Sequence, residues 1–218
     1  SWQNLQRCYP PPFVWMERYN LRHIDYALTG SQTAAQVWRQ KGYDGPLAVI
    51  PQFGVDPKLF APPPHPAPDE RPPHIVCVGR LVPENGVDLL QKPLTIIDTA
   101  SSVEMPRFYQ TADVLVLPSR TRPNWMEQFG RVLIEAMACG VAIVGAESGE
   151  IPHVIGDAGL LFSEDDAVAL RAALSRLVAS SQLRMDLGAR GRERVLAHFT
   201  QRQIAQKTIA VYREMLVL

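Results

Sequence analysis

The amino-acid sequence predicts an α/β protein: a Rossmann-like, doubly wound parallel sheet from residue 74 to the last helix, preceded by a partial second α/β unit. Three observations predict it. Short continuous apolar runs, HIVCVG (74–79), DVLVLPS (113–119) and VAIVGA (141–146), alternate with segments of helical periodicity, as strands buried on both faces do. Residues 61–73, APPPHPAPDERPP, are dominated by proline without apolar periodicity, which marks a semi-rigid linker. Residues 1–60 carry shorter helix and strand signals of their own. The implied division is 1–60, 61–73 and 74–218.

The elements follow in order. Trp15–Arg22 reads as a helix and Tyr26–Thr29 as a short apolar run. Ser31 or Thr33 caps a helix that runs to about Lys41 and stops at Gly42. LAVIP (47–51) is a buried strand candidate. After the linker come the strand HIVCVG, a short helix around Val87–Gln91, the strand LTIID (94–98) and a helix over Val103–Thr111. DVLVLPS, the helix GRVLIEAMAC (130–139) closed by Gly140, and VAIVGA follow. Ser163 with Asp166 signals the start of a helix over Ala167–Ala179, and Thr200 with Gln203 the start of the last helix. Ile204, Ile209 and Val211–Tyr212 offer that helix apolar anchors for a return to the first unit.

Composition narrows the partners. The chain has 218 residues, 46% hydrophobic and 20% charged, with 22 basic and 22 acidic side chains. A zero formal charge gives no global pull toward nucleic acid or an anionic membrane. The three cysteines, Cys8, Cys77 and Cys139, are widely spaced, and Cys77 and Cys139 read as buried apolar side chains in a reducing, cytoplasmic compartment. The most apolar stretch, Val132–Ala146, is about fifteen residues and contains Glu135, short of the ~20 a membrane span needs. The five histidines show no metal-ligand spacing. GxGxxG is absent, which argues against a nicotinamide dinucleotide.

Ligands of such sheets bind at the carboxyl ends of the strands, so the loops after Val78, Leu117 and Val144 are the places for chemistry. In EQFGRVLIE (127–135), the helix start at Phe129–Arg131 offers free backbone N–H groups and a positive dipole end. Gly130 removes a side chain where an anion would approach. Glu127 and Glu135 suit sugar hydroxyls, because a carboxylate accepts paired hydrogen bonds from a diol. An amphipathic helix with two solvated glutamates fits the same spacing. In GRLVPENGVD (79–88), Gly79 and Arg80 close a strand, and a guanidinium there either neutralises a diphosphate or is an ordinary surface arginine. In SGEIPHVIGDAGLLF (148–162), Gly149 and Glu150 follow a strand, and Glu150 either caps the next short helix or faces a ligand.

The blocks IPQFGVD (50–56), VGRLVPENGVD (78–88), ADVLVLPS (112–119), EQFGRVLIEAMACG (127–140) and SGEIPHVIGDAGLLF (148–162) together resemble the signature series of the family-four, or group 1, GT-B glycosyltransferases. The resemblance covers nearly the whole chain. It implies that 74–218 is the nucleotide-sugar-binding domain and that 1–60 is the final portion of an acceptor-binding domain, truncated at the N-terminus. It implies that Glu127 contacts the donor sugar, Glu135 holds the nucleotide ribose, the backbone of Phe129, Gly130 and Arg131 meets the sugar and diphosphate, and Arg80 stabilises the leaving diphosphate. Gly79, Asn85, Gly149 and Glu150 complete the donor site. The implied reaction is glycosyl transfer from a nucleotide-diphosphate sugar with retention at the anomeric carbon, without metal or cofactor. The acceptor, carbohydrate or lipid-linked, is not specified, and peripheral membrane association stays open.

The chain departs from the pattern in two further places. Asn85 stands where the family usually has a lysine, and only Leu81–Pro93 joins two strands that the family separates by another helix–strand–helix. Two rival readings follow: a nucleotide-sugar-binding module without transfer activity, and an interaction domain that kept the fold and lost the site.

Overall fold

The computed structural model describes residues 9–64, 71–79, 82–86, 89, 94–98, 101 and 103–216. The first unit runs α1 (Phe13–His23), β1 (Ala27–Thr29), α2 (Gln32–Gln40) and β2 (Leu47–Val49). β1 and β2 pair in parallel, Ala27 beside Leu47 and Thr29 beside Val49. Ser31 caps α2, its hydroxyl accepting from Ala34 N at 3.1 Å, which selects Ser31 over Thr33.

The second unit begins at β3 (Ile75–Val78) and a 3₁₀ turn (Pro83–Asn85). It continues through β4 (Thr95–Ile97), α3 (Met105–Thr111), β5 (Val114–Leu117), α4 (Arg131–Ala138), β6 (Ala142–Ala146), α5 (Ile151–Ile155), β7 (Leu160–Phe162), α6 (Ala167–Ala179), α7 (Ser181–His198) and α8 (Gln201–Met215). Among the described residues its sheet has five strands in the order β4-β3-β5-β6-β7, all parallel. Of the short helix expected around Val87–Gln91, only Leu89 is among the described residues, its N–H donating to Gly86 O at 3.0 Å.

The sheet is covered on both faces at its centre, where β3, β5 and β6 are apolar at every position. Leu115 and Leu117 of β5 join Val76, Ile143 and the inner faces of α3, α4 and α5. Val114 and Val116, pointing the other way, pack with Val144, Leu170, Ala173, Leu177 and Leu187. Period-two alternation thus feeds two cores from one strand. Cys77 and Cys139 are buried free thiols.

Two local expectations change, and two elements appear that the sequence does not signal. Asp166 caps α6 by accepting from Val168 N and Ala169 N; Ser163 instead donates to Glu147 Oε2 at 3.0 Å, so the cap needs no second residue. β7 and α7 had no sequence assignment. α7 packs on α4 through glycines: a Cβ on Gly188 would lie 2.1 Å from Gly140 O, and one on Gly191 would lie 3.2 Å from Met137 Cγ. An interface made of missing side chains leaves no apolar period to read. Of the anchors expected on α8, Ile204 packs on Gly54 of the first unit, where a Cβ would lie 2.8 Å from Ile204 Cδ1, and Val211 is buried, while Ile209 and Tyr212 stay largely exposed.

α8 returns to the first unit by its start. Val55 N donates to Phe199 O at 3.0 Å and Gln201 N to Val55 O at 3.1 Å. A capping box fixes this start: Thr200 Oγ1 accepts from Gln203 N, and Gln203 Oε1 accepts from Thr200 N at 3.1 Å. Thr200→Ala should cost about 1 kcal/mol and lower the melting midpoint by roughly 2–4 °C, read by circular dichroism; an unchanged midpoint would contradict the cap. Among the described residues, no helix is long and apolar enough to cross a membrane.

Candidate functional site

The chain passes from β3 outward to β4 and then returns to β5 on the other side of β3. The carboxyl ends of β3 and β5 are therefore the switch point at which a doubly wound sheet forms its ligand crevice. Gly79 N donates to Ile97 O at 3.0 Å, tying the end of β3 to β4. The 3₁₀ turn folds back against the end of β5: Arg120 N donates to Glu84 O at 2.8 Å, and a Cβ on Gly86 would sit 2.0 Å from Pro118 O. Asn85 lies over Gly79, its Nδ2 3.1 Å from where a Gly79 Cβ would be. Arg80, expected to be the diphosphate cation, is outside the described residues.

The start of α4 reaches the same strand end. A Cβ on Gly130 would lie 3.4 Å from Leu117 Cδ2. Glu127 fixes the loop that enters α4, with Oε1 accepting from Gly130 N at 3.0 Å and Gln128 N at 3.2 Å. Ser119 Oγ donates to Glu127 Oε2 at 3.5 Å. By helix geometry, the N–H groups of Arg131 and Val132 have no intrahelical partner, and they carry the positive dipole end. Phe129 turns its ring inward, 5.9 Å from Phe53 and 5.8 Å from Phe199, so only its backbone is offered to a ligand.

Glu135 is 4% exposed and held on both oxygens. Tyr109 OH donates to Oε2 at 3.0 Å, and Arg131 Nε donates to Oε1 at 2.7 Å. The Arg131 guanidinium, 5.9 Å from the Phe53 ring, is half exposed. Burial, and then the charge of Glu135, raise the Tyr109 pKa well above the ordinary phenol range. The hydroxyl is therefore a standing donor at neutral pH.

Glu150 N donates to Glu127 O at 3.1 Å, joining the loop after β6 to the loop before α4 through Gly149. The Glu150 side chain neither caps α5 nor faces the crevice. Its buried carboxylate accepts from Gln32 N at 3.2 Å and Thr33 Oγ1 at 3.0 Å, at the start of α2 in the other unit. His153 Nδ1 is 3.6 Å away. A negative charge at a helix N-terminus is favourable, so Glu150 latches the two units together. A cleft of about 210 Å³ lies beside the latch, lined by residues that include Gln32, His153, His198 and Lys207.

The structure brings Glu127, the Phe129–Arg131 backbone, Glu135 and Gly149 into one neighbourhood, with Gly79 and Asn85 on the adjoining loop. It directs the Glu150 carboxylate elsewhere. The sequence did not single out Tyr109, whose partner is 26 residues away. Nor did it single out Arg120, which is buried and ion-paired with Asp165. Among the described residues, no group of three or more His, Cys, Asp or Glu side chains is arranged to hold a metal ion.

The fold is that of an α/β domain of the GT-B type. Sucrose-phosphate synthase from Thermosynechococcus elongatus superimposes with a TM-score of 0.77 at 26% identity, over 94% of this chain and 61% of that one. Anabaena HepE in complex with UDP superimposes with a TM-score of 0.77 at 18% identity, over 89% of this chain and 65% of that one. The GDP-mannose-dependent alpha-(1-6)-phosphatidylinositol monomannoside mannosyltransferase of Mycolicibacterium smegmatis is 28% identical over 208 residues, 72% of this chain and 54% of that protein. Residues 90–194 match the family model for glycosyl transferases group 1. The segment 90–194 is that of a group 1 glycosyltransferase; the chain is similar to these proteins over most of its length, and it spans about half the length of the mannosyltransferase.

Proposed function

We propose that the chain is the nucleotide-sugar-binding part of a retaining glycosyltransferase, which moves a sugar from a nucleotide-diphosphate donor to a carbohydrate or lipid-linked acceptor. The observation that supports this reading is the grouping of Glu127 and Glu135 about the first turns of α4, whose N-terminus meets the carboxyl end of β5. The diphosphate lies against the N–H groups of Arg131 and Val132, with Arg80 as its cation. Glu135 takes the ribose hydroxyls, and Glu127 Oε2 takes a hydroxyl of the sugar. As the glycosidic bond breaks, charge grows on the diphosphate, and preorganised dipoles and a guanidinium meet it there without a metal. The sugar passes through an oxocarbenium-like state. The nucleotide sugar named for the mannosyltransferase and the UDP bound to the Anabaena protein support a nucleotide-diphosphate ligand.

In this reading residues 1–60 belong to the acceptor-binding domain, and 61–73 link it to 74–218. The buried thiols fit a reducing, cytoplasmic setting. Asn85 favours a second reading, binding without transfer: an amide brings no charge to the diphosphate, and loss of one such donor costs ~10²–10³ in rate. Calorimetric titration with UDP, GDP and ADP beside a radiolabelled transfer assay separates the two readings. Binding with transfer supports the first, binding without transfer the second, and absence of binding to all three contradicts both.

A further inference from the structure

We infer that Tyr109 is a positioning residue for nucleotide recognition: with Arg131 on the opposite oxygen, it orients the Glu135 carboxylate toward the ribose hydroxyls. The inference rests on the proposed donor site and adds to it a residue that never touches the ligand.

A carboxylate has about four lone-pair sites, two on each oxygen. Tyr109 OH fills one on Oε2 at 3.0 Å, and Arg131 Nε fills one on Oε1 at 2.7 Å. One site remains on each oxygen, which is what a vicinal diol requires. The two braces approach from different elements, α3 and α4, so the carboxylate plane is fixed before a ligand arrives. Preorganisation of this kind removes an ordering cost from binding. Tyr109 is fully buried among Phe60, Leu133 and Met137, with its ring 6.2 Å from Phe60, so its hydroxyl cannot turn to water. Arg131 is half exposed, which makes its brace the weaker one. A tyrosine kept only for packing would gain nothing from a hydroxyl here. Phenylalanine would fill the same space without a polar group to satisfy.

Tyr109→Phe keeps the ring and removes the brace. The readout is the ratio of dissociation constants for 2′,3′-dideoxy and ordinary nucleotide, measured with UDP and with GDP by calorimetry. In the wild type the ordinary nucleotide binds tighter. In Tyr109→Phe that ratio should fall about tenfold, with the dideoxy constant unchanged. Arg131→Gln, at a half-exposed position that folding tolerates, should lower it about threefold. It decides the matter should Tyr109→Phe fail to fold, since a wild-type ratio there would overturn the brace. Equal weakening of both nucleotides in Tyr109→Phe, or a wild-type ratio, would also overturn the inference. If Glu135→Ala abolishes the ratio while Tyr109→Phe preserves it, the donor site stands and Tyr109 has no part in it. A wild-type protein indifferent to the ribose hydroxyls overturns the donor-site reading and the inference together.

Discussion

Gly149→Ala is expected to lower the melting midpoint by roughly 6–12 °C and to weaken binding of the sugar half of the donor. Gly149 has φ +52°, and a Cβ there would lie 2.0 Å from Glu127 O, a backbone atom that cannot swing aside. The left-handed conformation costs alanine about 1 kcal/mol, and relieving the overlap costs about 2 kcal/mol more. The same carbonyl accepts from Glu150 N at 3.1 Å, so the shift displaces Glu127 from its bonds to Gly130 N and Gln128 N. Gly42→Ala is the control. Its φ is +88° with nothing within 4 Å of the added carbon, so only the conformational cost applies, about 1 kcal/mol or roughly 2–4 °C. Equal losses in the two variants would contradict the close approach at Gly149.

Glu135→Ala is expected to weaken nucleotide binding about hundredfold. Two charge-assisted hydrogen bonds to a ribose, each contributing about 1.5 kcal/mol, account for that factor. Stability falls as well. The Tyr109 hydroxyl is left buried without its acceptor, which costs ~1–3 kcal/mol, whereas the half-exposed Arg131 returns to water and its lost ion pair matters little. The effects separate in two measurements, titration with UDP or GDP and a thermal melt. An unchanged dissociation constant with a lowered midpoint would make Glu135 a purely structural carboxylate.

These residues also show where sequence stops being informative. β3, β5 and β6 were legible because a parallel sheet covered on both faces demands unbroken apolar runs, and the Thr200–Gln203 box was legible because both partners lie within one turn. α7 was not, because Gly188 and Gly191 meet α4 by having no side chain. In the site, Glu127, Gly130 and Glu135 could be read from one nine-residue segment. The role of Glu150 could not, since its partners Gln32 and Thr33 lie more than a hundred residues earlier on a different sheet unit. Tyr109 looked like any apolar helix residue, because the group that gives its hydroxyl a purpose sits two elements later. Contacts within a turn or a strand are written in periodicity; contacts between loops are set by topology.

The central claim, that a nucleoside diphosphate lodges between the carboxyl ends of β3 and β5 on the α4 N-terminus, is tested most directly by amide-resolved hydrogen exchange with and without saturating UDP or GDP. Slowed exchange is expected at Arg131 and Val132 and at Gly79, Asn85 and Gly86, with α6 and α7 unchanged. Exchange unaffected at Arg131 and Val132 while the nucleotide is bound would contradict it.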